Sequence, residues 1–173
     1  VCKYHMEKTI HPSQVSGEVR PPCSKSYAQR ALAAALLCEG ETTLSNIELC
    51  DDTRYAMDVI TGLGASVRQT GPAQYVIRGG LAPVTDTVNT GESGLATRLF
   101  TPIAALCERR MTVTGSGTML RRPIDMMIEP LRNLGAEVLS DGFLPITVRG
   151  PLKGGETDVE AHVSSQFLTG LLM

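Results

Sequence analysis

A segment that ends in serine occurs three times along this chain, at Ser24, Ser93 and Ser164, with spacings of 69 and 71 residues. In each copy a short run with β-branched residues precedes the serine, and an apolar run of helical character follows it. A serine in this position is typical of a helix N-cap. If the three copies pack as equivalents, three helix N-termini face one place. Helix N-termini carry unpaired N–H groups and the positive end of a dipole, so that place is expected to attract anions.

The repeat covers a whole structural unit. Leu63-Gly64-Ala65 recurs as Leu134-Gly135-Ala136, at an offset of 71 residues. This period is longer than that of most solenoid repeats and indicates duplicated compact units that share one core. The pattern predicts an α+β fold of mixed helices and sheets, built from βαβαββ units in a pseudo-threefold arrangement. The units are assigned to residues 17–84, 85–154 and 155–173, the third being incomplete.

Hydrophobic periodicity and turn residues predict the elements within each unit. Helices are expected over residues 25–38, 52–63, 123–134 and 164–173. Strands are expected over residues 18–20, 42–46, 65–69, 74–78, 111–114, 137–139 and 146–149, and in the short runs before Ser93 and Ser164. Pro123 suits the first turn of its helix, whereas Pro130 is expected to kink that helix.

The composition excludes several classes of protein. The 173 residues carry a net charge of −2, which argues against nucleic-acid binding through an overall basic surface. The five cysteines include no Cys-x-x-Cys pair, so neither a disulfide framework nor a zinc site is indicated, and a reducing cytoplasm fits best. The longest nearly apolar run, Ala31 to Cys38, is too short to span a bilayer. We expect a cytoplasmic protein that binds neither nucleic acid nor membrane.

The C-terminal segment ends on apolar residues typical of a buried helix. Phe167, Leu168, Leu171, Leu172 and Met173 are followed by no polar cap and no glycine. We therefore expect a truncated chain whose last helix lacks part of its apolar cover. An alternative is a small protein that ends in a docked helix.

Polar and cationic side chains cluster at the first two expected helix N-termini. Lys25 and Ser26 follow the first cap, and Arg30 lies one to two turns inside the helix. At the second cap, Gly94 allows close backbone approach to a ligand, and Arg98 adds a cation to an otherwise apolar helix. These groups could hold an anion at the cap. Solvated charges on a capped surface helix are an alternative explanation.

Three further groups extend this set. Arg121-Arg122 stand just before Pro123, an arrangement suited to bidentate binding of carboxylate or phosphate, or else a polar turn. Asp51-Asp52 open a helix, and capping explains one of the two carboxylates. Ser164-Ser165-Gln166 bring two hydroxyls and an amide to the third N-terminus. Because most of these groups donate hydrogen bonds, we predict a small ligand that carries phosphate and carboxylate.

These segments together resemble the 5-enolpyruvylshikimate-3-phosphate synthase family, in its order and spacing, across nearly the whole chain. The matching residues are Ser24-Lys25-Ser26 with Arg30, Asp51-Asp52-Thr53-Arg54, Gly94 with Arg98, Arg122-Pro123-Ile124, and Ser164 to Thr169. The resemblance implies the enolpyruvyl transferase-like fold, whose two domains are each built from three such units. Residues 17–173 would then form the N-terminal domain, and residues 1–16 would come from, or lead to, the second domain.

The resemblance also implies a reaction. An enolpyruvyl group passes from phosphoenolpyruvate to the 5-hydroxyl of shikimate 3-phosphate through a tetrahedral intermediate, and phosphate is released. No metal or organic cofactor takes part. The family's acid and base carboxylates lie mainly in the second domain, so the 173 residues of this chain are expected to be inactive by themselves. The full-length family chain is expected to be a monomer.

Carried over residue by residue, the resemblance assigns roles to individual side chains. The shikimate 3-phosphate side would consist of Ser164 and Ser165 on the phosphate, with Ser26, Arg30 and Gln166 on the shikimate. The phosphoenolpyruvate side would consist of Lys25, Gly94, Arg122 and Gln166. Lys25, Arg122 and Gln166 are the catalytic candidates, and Asp52 and Arg98 are further candidates.

The sequence departs from the family pattern on the phosphoenolpyruvate side. Cys23, Glu92 and Leu95 stand where glycine, asparagine and a hydroxyl residue are usual. One alternative is the related transferase that acts on UDP-N-acetylglucosamine, but its loop carries a reactive cysteine where this chain has Gly117. A second alternative is a fragment that binds substrate without catalysing its conversion.

Overall fold

The chain has an α+β architecture, described for residues 8–160, 162 and 164–173 in a computed structural model. The helices are α1 (Lys25–Leu37), α2 (Asp51–Gly62), α3 (Gly94–Ala104), α4 (Ile128–Asn133) and α5 (Ser165–Leu171). The strands are β1 (Glu41–Ser45), β2 (Ser66–Gly71), β3 (Gln74–Arg78), β4 (Thr87–Asn89), β5 (Met111–Thr114), β6 (Glu137–Leu139) and β7 (Ile146–Arg149). Two 3₁₀ turns, Gly117–Arg121 and Asp125–Met127, precede α4.

The strands form two sheets with a shared topology. The first sheet has the order β1-β3-β2 and is antiparallel throughout. The second has the order β4-β5-β7-β6, in which β5-β7-β6 repeat the antiparallel arrangement of the first and β4 pairs in parallel with β5. The repeat in the sequence therefore corresponds to a repeat in the fold.

The strand expected over residues 18–20 is absent from the first sheet, so this prediction is wrong. Val19 is 88% exposed, and the one side-chain hydrogen bond that the segment makes to the described residues runs from Arg20 Nη2 to Asn46 Oδ1, at 3.0 Å. Pro21 and Pro22 follow directly, and neither has a backbone N–H with which to extend a ladder. The segment passes the end of β1 without pairing.

The helix predicted over residues 123–134 begins later than expected. Ile124 precedes a 3₁₀ turn, and α4 starts only at Ile128. Pro130 consequently lies in the first turn of α4, where its missing N–H has no intrahelical acceptor to lose. The predicted kink at Pro130 is therefore wrong.

The third unit contains its helix, but residues 157–160 form no strand, contrary to the prediction. Residues 161 and 163, which belong to the same run, lie outside the described residues. A strand of this type pairs, as β4 does, with the strand that follows the helix of its unit. No strand follows α5 among the described residues, so the run has no such partner.

The three predicted serine caps are confirmed. Ser24 Oγ accepts a hydrogen bond from the backbone N–H of Tyr27 at 3.4 Å, and Ser93 Oγ accepts one from Ala96 at 3.2 Å. Ser164 Oγ accepts one from Gln166 at 3.3 Å. These bonds fix the points at which α1, α3 and α5 begin.

Helix α2 begins differently from the expectation that one of its two aspartates is the cap. The N-cap is Cys50, whose N–H donates to Thr53 Oγ1 at 2.9 Å. Asp51 and Asp52 are first-turn residues instead, where a negative charge interacts favourably with the helix dipole. Both carboxylates are therefore free of a capping role.

Helix α3 lies at the centre of the core. Nine of its eleven residues are buried, and it contacts α1, α2 and α5. Helix α5 packs closely on it, because a Cβ at Gly170 would lie 2.8 Å from the carbonyl oxygens of Arg98 and Leu99. Phe167 of α5 is fully buried, whereas Leu172 remains 77% exposed. The last helix is thus docked through one face.

Two further features concern the cysteines and the lengths of the helices. Cys23, Cys38, Cys50 and Cys107 are free thiols, and burial raises the pKa of Cys107 to about 11, so that thiol stays protonated at neutral pH. Among the described residues, no helix has the length and apolar character required to cross a membrane.

The central position of α3 gives a stability prediction. Leu99→Ala removes a fully buried side chain of α3 and should lower the free energy of unfolding by about 2 to 5 kcal/mol. Leu139→Ala is the matched control, because Leu139 is 59% exposed and should cost less than about 1 kcal/mol. Denaturant unfolding measures both, and equal losses would contradict the central packing of α3.

Candidate active site

A cavity of about 320 Å³ lies where the first turns of α1, α2, α3 and α5 meet. Its lining residues are Lys25, Ser26, Gln29, Asp52, Glu92, Ser93, Gly94, Leu95, Arg98, Arg122 and Gln166. The first turns that follow the three serine caps therefore contribute to one cavity, as the repeat predicts. We call it the donor pocket, because hydrogen-bond donors dominate its lining.

The donor pocket brings together seven of the residues predicted from the sequence. They are Lys25, Ser26, Asp52, Gly94, Arg98, Arg122 and Gln166. Arg30, Ser164 and Ser165 do not line it, and their roles stay predictions. The Arg30 guanidinium folds back along α1, where Nη1 donates to the carbonyl oxygen of Ser26 at 3.1 Å.

Lys25 is held at the pocket by a carboxylate of the neighbouring helix. Its Nζ lies 2.8 Å from Asp52 Oδ2, and the two side chains are 64% and 22% exposed. The hydrogen bond to Asp52, together with the attraction of its charge, raises the pKa of Lys25 above its ordinary value. Lys25 is therefore a fixed ammonium group, and Asp52 acts on the pocket by orienting it.

Arg98 is the cation of the pocket with the least compensation. Its Nη1 donates to the carbonyl oxygen of Gly94 at 3.2 Å, while its buried Nε has no hydrogen-bond partner among the described residues. Desolvation, with a further contribution from the nearby charge of Arg122, lowers the pKa of Arg98. Like charges in a partly buried site are unfavourable unless an anion joins them. The pair therefore favours an anion in the pocket.

A buried hydrogen bond joins the first turns of α1 to the N-cap of α3 in the lining of the pocket. Ser93 Oγ donates to Gln29 Oε1 at 3.1 Å, and the two residues are 4% and 1% exposed. Gln29 is not among the residues predicted from the sequence. The sequence does contain an indication of its burial. Gln29 lies on the apolar face of α1 with Leu32, Ala33 and Leu36 and is the polar residue on that face.

A larger cleft of about 480 Å³ adjoins the donor pocket and shares Asp52 and Glu92 with it. Asp51 and Asp58 add two more carboxylates to its lining, against one cation, Arg54. Its charge is opposite in sign to that expected for an anion site. The smaller donor pocket is therefore the candidate site for an anionic ligand.

The fold is that of the enolpyruvyl transferases. The enolpyruvyl transferase NikO from Streptomyces tendae aligns with 85% of this chain and 36% of its own, with a TM-score of 0.55 and 15% sequence identity. This likeness concerns the fold alone.

Sequence comparison narrows this class to one family. The sequence profile of EPSP synthase (3-phosphoshikimate 1-carboxyvinyltransferase) matches residues 10–173, and the chain belongs to this family. A 3-phosphoshikimate 1-carboxyvinyltransferase of Thermococcus kodakarensis is 40% identical over 163 residues, which cover 92% of this chain and 39% of that protein. An EPSP synthase from Acinetobacter baumannii aligns with a TM-score of 0.79 at 25% identity, over 90% of this chain and 37% of its own. The chain thus spans about two fifths of the length of the relatives it matches.

The glycine at the second helix N-terminus gives a prediction about anion binding. In Gly94→Ala the added methyl would lie 2.7 Å from Arg98 Nη1 and 3.5 Å from Arg122 Nη1, so the Arg98 guanidinium must move. Losing one charge-assisted contact of about 1.5 to 3 kcal/mol should weaken binding of an anionic ligand at least about tenfold. Gly154→Ala is the matched control, because a Cβ there meets nothing within 4 Å. Titration with a small phosphorylated carboxylate measures both variants, and equal affinities would contradict this account of Gly94.

Proposed function

We propose that this chain supplies the N-terminal part of an enzyme that transfers the enolpyruvyl group of phosphoenolpyruvate to the 5-hydroxyl of shikimate 3-phosphate. Residues 17–173 would be the N-terminal domain, in units 17–84, 85–154 and 155–173, and residues 1–16 would come from, or lead to, the second domain. Such a soluble enzyme of aromatic amino acid biosynthesis would act in the cytoplasm as a monomer. Membership of the EPSP synthase family supports the proposal.

The donor pocket is the observation that carries the proposal. It combines the N-termini of α1 and α3 with three cations, Lys25, Arg98 and Arg122, against two carboxylates. Both substrates carry a phosphate and a carboxylate, which such donors bind well. A neutral or cationic ligand would leave the Arg98 Nε without a partner and the charge of Arg98 uncompensated beside that of Arg122.

The predicted roles divide the residues between the two substrates. Phosphoenolpyruvate would contact Lys25, Gly94, Arg122 and Gln166, with Arg98 as a further cation. The shikimate 3-phosphate ligands would be Ser26, Arg30, Ser164, Ser165 and Gln166. Gln166 lines the pocket from α5 and is shared between the two sets.

In the proposed reaction, the 5-hydroxyl gives its proton to a base and its oxygen adds to C2 of phosphoenolpyruvate, while C3 gains a proton from an acid, which gives a tetrahedral intermediate. The bond between C2 and the phosphate oxygen then breaks, and C3 loses a proton to restore the double bond. Charge grows on the departing phosphate, and fixed cations such as Lys25 and Arg122 stabilise it without reorganisation. Holding two anions in reacting positions supplies a further part of the rate enhancement.

The proposal needs no metal or organic cofactor. Within residues 8–160, 162 and 164–173, no three acidic, histidine or cysteine side chains converge as metal ligands. The related transferase for UDP-N-acetylglucosamine is not favoured, because the family match is to EPSP synthase and the loop has Gly117 in place of a cysteine.

Arg122 offers the sharpest test. In a full-length polypeptide that carries this sequence, Arg122→Ala should lower kcat/KM for phosphoenolpyruvate by about ten- to a hundredfold, since a charge-assisted contact is worth about 1.5 to 3 kcal/mol. The KM for shikimate 3-phosphate should change much less. Arg121→Ala is the matched control, because Arg121 is exposed and does not line the pocket. Equal weakening of both substrates would count against the assignment of Arg122.

A second candidate function is substrate binding without catalysis by these 173 residues alone, because the family's acid and base groups are expected in the second domain. The isolated 173-residue chain should bind shikimate 3-phosphate weakly and release no phosphate, while the full-length polypeptide should release it. A phosphate-release assay with mass-verified chain compares the two. Turnover by the isolated chain would show that the pocket is sufficient for catalysis.

A further inference from the structure

We propose that Glu92 is a positioning residue of the donor pocket, whose carboxylate fixes the Gly117–Arg121 turn and thereby sets the place of Arg122. This inference rests on the proposed function, in which Arg122 holds an anionic substrate. Glu92 itself need not touch the substrate.

The contact between Glu92 and the turn consists of two hydrogen bonds to one oxygen. Glu92 Oε2 accepts from the backbone N–H of Thr118 at 2.9 Å and from the Thr118 hydroxyl at 2.8 Å. Glu92 stands directly before the N-cap of α3, and Thr118 lies on the turn that follows β5. The two bonds therefore tie the turn to the N-terminus of α3, 26 residues away in sequence.

The same threonine hydroxyl continues to Arg122. Arg122 Nη2 donates to Thr118 Oγ1 at 3.3 Å. A hydroxyl has one proton to donate and lone pairs to accept with. Because the Thr118 hydroxyl donates its hydrogen bond to Glu92, its lone pairs are directed towards Arg122. The chain Glu92–Thr118–Arg122 thus fixes the direction of a guanidinium that lines the pocket.

Steric fit at Gly117 supports the contact independently. The backbone of Gly117 has a φ of +53°, and a Cβ at this residue would collide with the carboxylate group of Glu92. The carboxylate thus occupies the space that a side chain at position 117 would need. The turn can therefore follow this path beside Glu92 only because residue 117 has no side chain.

Glu92 has two opposite effects on an anion in the pocket, one through its charge and one through its hydrogen bonds. The backbone N–H of Thr118, followed by the Thr118 hydroxyl, holds the pKa of Glu92 below its ordinary value, so the carboxylate is ionised at neutral pH. Its charge opposes an anion in the pocket, whereas its hydrogen bonds hold Arg122 in place for that anion. Glu92→Gln keeps an oxygen acceptor and removes the charge, while Glu92→Ala removes both.

The first measurement is amide hydrogen exchange at Thr118 in the unliganded full-length polypeptide. Glu92→Ala should accelerate exchange about tenfold or more, because the N–H loses its acceptor. Glu92→Gln should stay close to wild type. Glu129→Ala is the control, since Glu129 is an exposed carboxylate paired with Arg132 on α4. Unchanged exchange in Glu92→Ala would overturn the proposal.

The second measurement is steady-state kinetics with both substrates. Glu92→Ala and Thr118→Val should each raise the KM for phosphoenolpyruvate about tenfold, with the KM for shikimate 3-phosphate unchanged and little added effect in the double variant. Thr118→Ser, which keeps the hydroxyl, should restore the wild-type value. An unchanged phosphoenolpyruvate KM in Glu92→Ala, or an equal rise in Glu92→Gln, would overturn the positioning role.

The two measurements separate this inference from the proposed function. If the wild-type full-length polypeptide transfers no enolpyruvyl group, the proposed function fails, whatever the exchange rates are. The role of Glu92 is then decided by exchange at Thr118 together with the affinity for inorganic phosphate. Accelerated exchange with about tenfold weaker phosphate binding in Glu92→Ala supports it, and unchanged phosphate binding overturns it.

Discussion

The site depends on holding the N-termini of two helices, α1 and α3, against one cavity, although their partial positive charges repel each other. The hydrogen bond from Ser93 Oγ to Gln29 Oε1 ties the two helices together near these ends. Both groups are buried, so separating the helix ends would leave a polar group unpaired at a cost of about 1 to 3 kcal/mol. Ser93 also caps α3 through Ala96, so one side chain both starts the helix and fixes its position.

Two carboxylates complete this arrangement, and each acts on a different cation. Asp52 pairs directly with Lys25, whereas Glu92 is linked to Arg122 through the hydroxyl of Thr118. Neither compensates Arg98, whose Nε is buried without a partner among the described residues. The charge of Arg98 beside that of Arg122 is therefore an unfavourable interaction that a bound anion would relieve, which would make anion binding differentially favourable. The cavity therefore contains two cations that carboxylates orient, Lys25 and Arg122, and a third, Arg98, that no carboxylate in the described part of the chain compensates.

The sequence predicts the parts of this fold that depend on local chemistry. Serine caps, strand alternation and the glycine after α2 are encoded within a few residues, and the corresponding elements lie within a residue or two of their expected bounds. The helix over residues 123–134 begins later than expected because Ile124 and Met127 keep the apolar spacing of a helix, although Ile124 precedes a 3₁₀ turn and Met127 ends it. The strand over residues 18–20 fails because β-propensity depends on pairing, which the following prolines do not support. Local pattern cannot distinguish these cases, since long-range packing decides them.

The candidate site also combines features that local sequence predicts with contacts that only long-range packing decides. The three departures from the family pattern illustrate this. Which side chains face the pocket follows from helix N-termini, but the contact from Glu92 to Thr118 joins two loops that no periodicity connects.

Cys23 accepts a hydrogen bond from the Glu48 N–H through its sulfur, at 3.2 Å, and so fastens the start of α1 to the connection before α2. Leu95 lines the pocket with a side chain that is 6% exposed and donates no hydrogen bond. An apolar wall excludes water and lowers the local dielectric, which strengthens the attraction between an anion and the guanidinium groups of Arg98 and Arg122. In the proposed function, anion recognition on this side of the pocket would depend on the two arginines and the backbone of Gly94, and their exact placement would matter more than it does beside a hydroxyl donor.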